Sequence, residues 1–438
     1  MASVSKSKRT THLGSNVIHF LSQNMVVIIF LFLGIGGYFL SKQPLSAVLG
    51  ELVNRFIRNS FLVLSLIIPV AAGMGLNFGI VIGAMAGQMA IIMTVDWGLT
   101  GIGGILVTFI VSVPLAVLFG WLTGKILNKT KGNEMITTMI LGFFANGIYQ
   151  FIYLFLVGGV IPMKNKTLMI NSKIGVKNTV DLTGTLKYAL DDFAEISLDK
   201  AANIVLIIVA IWIIYKLVCG FLRQKKENEV IGKAILIKNV LILIMSIVSL
   251  FVINSNPTFR MTLAFVDVPV LTTIIILLLC LFNVVIMKTK LGQDFRAIGQ
   301  NGAIAGVAGI SVDRTRIVAI ILSTIFAAWG QIIYLQNIGT LNTYASHEQV
   351  GTFAVAAIVV GGASVVKATN GQAMIGVLLF HLLFIVSPMA GKELFNDPQI
   401  GEYFRVFIAY GVISVSLALH AWKVFANKKK QEQAESGK

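Results

Sequence analysis

Two groups of side chains offer chemistry in this sequence. The first lies in GFFANGIYQF, where Phe143, Asn146, Tyr149 and Gln150 crowd one apolar run. Asn146 and Gln150 stand four apart, so a helix presents both amides on one face. Amides beside aromatic rings offer hydrogen bonds and a stacking surface to a neutral or weakly polar solute, such as a sugar or a nucleoside. Asn77, Gln88 and Asn370 lie at or beside glycine breaks in other apolar segments. With Phe143, Asn146 and Gln150 they make up the candidate solute path. Taken singly, each amide reads equally well as an ordinary interhelical hydrogen bond.

The second group is Leu291 to Arg316, LGQDFRAIGQNGAIAGVAGISVDRTR, a basic stretch between two strongly apolar segments. Gly299, Gly302, Ala303, Ala305, Gly306, Ala308 and Gly309 predict a short helix with an almost bare surface, which another protein can approach closely. A basic loop between spans is normally cytoplasmic. Fixing topology requires the charges but not the density of glycine and alanine, so the stretch reads as a docking element.

Other chemistries lack their residues. The histidines His12, His19, His347, His381 and His420 are scattered, and Cys219 and Cys280 lie in separate apolar runs, so neither a metal motif nor a disulfide framework emerges. GWLTGK, Gly120 to Lys125, is too short for a phosphate-binding loop, and Ile126 stands where a Ser or Thr should hold magnesium. The acidic residues lie almost entirely in loops, with Asp96 and Asp267 near span ends, which argues against an ion-driven carrier. No catalytic residue, metal ligand or cofactor is assigned, and energy is expected from another chain.

The elements that must position these groups are helices in a membrane. The chain has 438 residues, 56% hydrophobic and only 12% charged, against about 25% charged in soluble domains. The expected class is an all-α polytopic membrane protein of about 10–12 transmembrane helices, with an early span at 59–74. Pro69 to Met93 and Ala354 to Leu379 share a pattern of glycine-broken apolar halves, which predicts broken or re-entrant segments in two pseudo-repeated halves. The net charge of +16 would suit nucleic acid, but the lysines and arginines sit in short loops and at the ends, where they set orientation. An N-terminal arm at 1–23 and a tail at 425–438 are placed in the cytoplasm, flanking a transmembrane domain at 24–424. Within it, 162–201 is expected to be an extracytoplasmic insertion that forms a small helical cap, and 288–316 is the cytoplasmic loop. The run from Met25 to Leu40 is read as an uncleaved first helix rather than a signal peptide.

Three stretches resemble one known family. GMGLNFGIVIGAMAG (Gly73 to Gly87), FRAIGQNGAIAGVAGISVDRTR (Phe295 to Arg316) and AAIVVGGASVVKATNGQAMIGVLL (Ala356 to Leu379) are similar, in order, to elements of the bacterial ABC importer permeases for branched-chain amino acids, ribose and nucleosides. GNEMITTMILGFFANGI (Gly132 to Ile148) looks most like the nucleoside and simple-sugar branch. Lys367 to Asn370 replaces a more glycine-rich turn. The resemblance implies a permease subunit, without an ATPase site of its own, in the bacterial cytoplasmic membrane. Its implied partners are an ATPase, a second permease subunit and an extracytoplasmic substrate-binding protein. It also implies that Phe295, Arg296, Gly299, Asn301, Ala305, Gly306, Gly309 and Ile310 form the coupling surface, with Phe295 or Ile310 as apolar anchor and Arg296 as charge partner. Ribose, branched-chain amino acids or another small solute remain alternatives for the cargo, and an ion-coupled secondary transporter remains one for the mechanism.

Overall fold

An apolar run in lipid satisfies every N–H and C=O only by coiling into a helix, and the computed structural model is built of helices accordingly. It describes residues 24–170, 173–227 and 233–408, with 410, 411, 413–415 and 418. The expected arm at 1–23 and tail at 425–438 lie outside the described residues. The first half holds α1 (Met25–Ser41), α2 (Leu45–Leu64), α3 (Ile67–Ala71), α4 (Ile80–Asp96), α5 (Gly101–Lys129) and α6 (Glu134–Phe151). Then come α7 (Leu198–Glu227), α8 (Lys233–Ser255), α9 (Pro257–Ala264), α10 (Val270–Ile286), α11 (Lys290–Gln300) and α12 (Gly302–Val307). The last helices are α13 (Val312–Ile338), α14 (Val350–Val360) and α15 (Asn370–Phe395). Seven helical segments among the described residues are long and apolar enough to cross a membrane, and the bent pair α10–α11 adds an eighth. Three further apolar helices, α1, α4 and α14, are shorter.

The early span begins sooner than expected. α2 starts at Leu45, behind Pro44 in an extended conformation, so the segment Leu45–Ala71 carries Glu51, Arg55 and Arg58 within it. One Glu51 carboxylate oxygen lies 2.7 Å from Arg55 Nε and 3.6 Å from Arg58 Nη2. Helical spacing brings the three charges together, and a reading that ends spans at charges cannot see this. The expectation that the spans are nearly free of charge is therefore corrected.

α13 is the central helix and packs on α2, α4 and α5. Small residues let the backbones touch. A Cβ at Gly83 of α4 would stand 2.6 Å from that of Ala327, and one at Gly120 of α5 would stand 2.9 Å from Ile321 Cα. α15 packs on α1, α2 and α14, while α7 and α8 form a hairpin whose side chains are mostly exposed.

The polar insertion is tied down by short strand pairs and by side-chain bonds to neighbouring helices. β1 (Thr179–Asp181) pairs antiparallel with β4 (Thr340–Asn342), and β2 (Glu195–Ser197) pairs antiparallel with β3 (Asp267–Pro269). Asp191, 3% exposed, accepts from Thr272 Oγ1, Gln336 Nε2 and Asn337 Nδ2 at 2.5, 2.9 and 2.8 Å. It thereby joins the insertion to α10 and to the end of α13. Outside the spans, burial and the neighbouring Asp267, Asp192 and Asp191 push the Glu195 carboxyl up.

Candidate functional site

The structure gathers half of the predicted path residues into one polar seam. α4 supplies Gln88, α6 supplies Asn146 and Gln150, and the loop between β4 and α14 supplies His347 and Glu348. Gln88 is fully buried, and its Nε2 donates to the Asn342 and Thr343 carbonyls at 3.0 and 2.7 Å. That leaves its Oε1 turned to His347 Nδ1, 3.1 Å away. On the other side of the ring, His347 Nε2 lies 2.8 Å from Asn146 Oδ1. Asn146 Nδ2 donates to Glu348 Oε1 at 2.9 Å, and Gln150 Nε2 donates to Asn146 Oδ1 at 3.4 Å. Both ring nitrogens thus face amide oxygens, while burial pulls the pKa of the ring down to about 4, so the neutral ring donates to one of the two amides. The Asn146 amide is held in its orientation by donating to Glu348 and accepting from Gln150. The Tyr149 ring stands edge-on to His347 at 4.9 Å and beside Tyr153 at 4.6 Å. Tyr344 closes the loop from its far side by donating to the Val176 carbonyl, and burial pushes its phenol up.

The other predicted path residues are elsewhere. Asn77 accepts from Gly79 N at 2.9 Å and forms the turn that leads into α4. Asn370 Nδ2 donates to the Cys280 carbonyl at 2.7 Å, and its Oδ1 accepts from Asn283 Nδ2 at 3.3 Å. It knits α15 to α10, away from the seam. Phe143 is 70% exposed on the outer face of α6. His347 and Glu348 are not among the predicted path residues. The local cue is SHEQ, Ser346 to Gln349, a polar run directly before a glycine-containing apolar helix.

The basic stretch folds as two short helices. α11 turns 74° away from α10. Thr289 caps α11 by accepting from Gly292 N at 3.4 Å, and Asn301 caps α12 by accepting from Ala303 N and Ile304 N at 3.0 and 3.1 Å. The apolar anchor differs from expectation. Phe295 is completely buried in the chain's own core, Ile298 and Ala305 are buried, and Ile310 is half-buried. The period of α11 turns Phe295 and Ile298 inward together. The exposed apolar side chains are Ile304 and Val307 of α12, the latter 92% exposed. Arg296 is exposed, but its Nη2 donates to the Met287 carbonyl at 3.0 Å and so also caps α10. Gly299 faces inward as well: a Cβ at Gly73 would stand 2.6 Å from Gly299 Cα, and one at Gly299 would strike the Ala71 carbonyl oxygen. Gly306 and Gly309 remain on the exposed surface, Gly309 with φ +86° at the end of α12.

A buried ion pair ties this end of the bundle together. Arg316 Nη2 of α13 lies 2.7 Å from Glu134 Oε1 of α6, with both side chains largely buried. The other Glu134 oxygen accepts from Gly132 N at 3.0 Å. Glu134 of GNEMITT is thus part of a clamp between helices.

Comparisons with a family model and with curated proteins find relatives of this chain. Residues 185–417 match the family described as branched-chain amino acid transport system / permease component. The Probable ABC transporter permease protein YphD of Escherichia coli (strain K12) is 33% identical over 121 residues, 27% of this chain and 36% of the relative. The Nucleoside ABC transporter permease protein NupB of Lactococcus lactis subsp. cremoris (strain MG1363) is 28% identical over 139 residues, 31% of this chain and 35% of the relative. These matched stretches span about a third of the relatives' lengths. The Xylose transport system permease protein XylH of Haemophilus influenzae (strain ATCC 51907 / DSM 11121 / KW20 / Rd) is 25% identical over 406 residues, 92% of this chain and 95% of the relative. No solved structure matches the chain. With more than half its length matched, and with its helices, glycine-broken segments and bent α10–α11 pair arranged as described, the chain belongs to the branched-chain amino acid transport system / permease component family, as a multi-pass ABC permease.

Proposed function

We propose that this permease forms the translocation path of an ATP-driven importer for a nucleoside or simple-sugar-like solute, and that α12 couples the path to a separate ATPase. The observation that carries the reading is α12 itself. Ile304 and Val307 stand exposed beside Gly306, on a helix that directly follows α11, whose Gly299 is seated on the Gly73 turn. An apolar pair on a small-residue helix fits a groove on a partner, and the Gly299 contact passes a push into the break between α3 and α4. The basic residues Lys290, Arg296 and Arg314 support a reading in which this end is cytoplasmic, the insertion faces out, both termini are inside and the whole lies in a bacterial cytoplasmic membrane. A second permease subunit and an extracytoplasmic substrate-binding protein complete the assembly. The cargo class is supported by the seam of Gln88, Asn146, Gln150 and His347, whose amides suit a hydroxylated solute, and by relatives named for nucleoside and xylose transport.

Replacing Gly306 by Trp tests the coupling role. Gly306 is exposed, and a Cβ there meets only Val312 Cγ2 at 3.8 Å, so a side chain starting at this position is directed from the surface and folding is expected to be spared. Membrane abundance is expected to hold while ATP-dependent uptake falls about tenfold or more; equal uptake at equal abundance removes the coupling role. An ion-coupled carrier is the second reading, favoured by Glu51, Arg55, Arg58 and His347 in or between the spans. Uptake that persists in vesicles lacking any ATPase, and collapses with the ion gradient, would establish it instead.

A further inference from the structure

α2 and the residues that follow α15 bring three arginines together with two glutamates. One Glu51 oxygen faces both Arg55 and Arg58, and Glu402 pairs with Arg405. Arg55 lies within electrostatic reach of Arg58, Arg405 and His381, so the group holds one positive charge more than its carboxylates balance. Arg58 Nε, Arg405 Nε and His381 Nδ1 are buried with no hydrogen-bond partner among the described residues. His381, 6% exposed, lines a cavity of about 130 Å³ walled by α2, α13, α14 and α15, and Tyr334 lines it from α13. The Arg58 guanidinium lies over the Tyr334 ring at 5.9 Å. The Arg405 guanidinium lies over the Phe384 ring at 4.7 Å, and that ring stands 6.2 Å from the imidazole of His381. Two cations therefore stand close to the histidine that opens on the cavity.

Unpartnered buried N–H groups cost their desolvation, and an unbalanced buried charge costs more. A partner from outside the chain removes both costs only if it accepts hydrogen bonds and is negative. Water accepts hydrogen bonds but leaves the charge. Size narrows the choice further. A water molecule takes up about 30 Å³ in the liquid, so the cavity has room for one small ion and a few waters, and for no sugar ring or nucleobase. One excess charge matches a monovalent ion, whereas a divalent one overshoots it. We propose that this cavity binds a single small monovalent anion of the halide type, with His381 Nδ1–H donating to it and Arg58 and Arg405 supplying the field. Nδ1 carries the proton in one neutral tautomer of the ring. The ion links α2 to α15, which pack on one another, so occupancy raises stability. Gln88, Asn146 and Gln150 of the seam are not among the walls, and the site is independent of which solute the permease carries.

The test uses the full-length permease in nanodiscs of zwitterionic lipid at constant ionic strength. Sodium chloride and sodium bromide are exchanged for sodium gluconate, with the thermal unfolding midpoint as readout. A saturable rise with both halides is expected, and none with gluconate. His381→Leu should raise the half-saturating chloride concentration about tenfold, or about 1.4 kcal/mol, while His381→Gln, which keeps an N–H donor, restores part of the binding. Arg58→Gln, which removes the excess charge, should weaken it at least as much. Crystals of the unaltered chain grown in bromide locate the ion without any variant, and an anomalous peak beside His381 is expected. Equal midpoints in halide and gluconate mean that water alone fills the cavity and overturn the proposal. So does a halide effect unaltered in both His381→Leu and Arg58→Gln, or a bromide peak absent from the cavity. A peak there with no halide effect on the midpoint marks an adventitious ion only and overturns it as well.

Discussion

The two glycine-broken segments, Pro69 to Met93 and Ala354 to Leu379, look alike in sequence and are held by different neighbours. In the first, Gly73 and Gly75 take φ of +73° and +66°, a conformation that favours glycine. The turn they make is seated against Gly299 of α11, more than two hundred residues away in the chain. In the second, the break closes on itself. Gln372 Nε2 donates to the Gly362 carbonyl at 2.7 Å, Thr369 caps α15 by accepting from Gln372 N at 3.3 Å, and a Cβ on Gly361 would strike the Gln372 carbonyl. The first break is therefore seated on α11, the helix that precedes the exposed α12, whereas the second closes largely on itself, is joined to α10 through Asn370 and contributes to the site through the loop ahead of it. A like pattern of glycines marks where a helix can break, and the contact partner decides what the break does.

Substitutions can break that contrast. The largest effect is expected at Gly299→Val, whose side chain collides with the Ala71 carbonyl and the Gly73 backbone. It should cost about 3 kcal/mol or more, read as a lowered unfolding midpoint and loss of uptake. Gly371→Ala, at a position with nothing within 4 Å, should be silent in the second break. If both variants behave alike, the contrast fails.

Next in size is the clamp beside the first break. Arg316→Ala strands the largely buried Glu134 carboxylate and is expected to cost about 3 kcal/mol. Glu134→Gln in the same chain should restore part of that loss, as measured by unfolding in detergent; an additive double variant would mean that the two side chains do not interact.

The smallest effect belongs to the self-closed break. Gln372→Ala removes one side-chain bond to the Gly362 carbonyl and should cost about 1 kcal/mol, with uptake close to normal. A loss as large as that of Gly299→Val would show that the second break also transmits force.

Much of this arrangement was legible before the coordinates. Asn146 and Gln150 could be placed together because helical periodicity puts residues four apart on one face. The breaks could be located because glycines and amides interrupt long apolar runs. The pairing of Gln88 and His347 could not, since 259 positions separate them and only the packing of α4 against α13 and the β4 loop brings them together. The inward turn of Phe295 was likewise invisible. One apolar residue in a basic loop fits a partner's groove and the chain's own core equally well, and the 74° bend after α10 settles which it meets.

The sequence by itself determined the class of the molecule, because backbone hydrogen bonding in lipid leaves an apolar chain little choice but helix. It also determined where the helices break and which family the motifs resemble. Tertiary structure alone decided which polar groups share a site and which glycines are contacts rather than surface. It also placed Glu51, Arg55 and Arg58 within one helix, where their charges meet. The physical reason is that hydrophobicity and backbone preference act residue by residue along the chain, whereas burial, pairing and close approach depend on what another part of the chain brings to the same place.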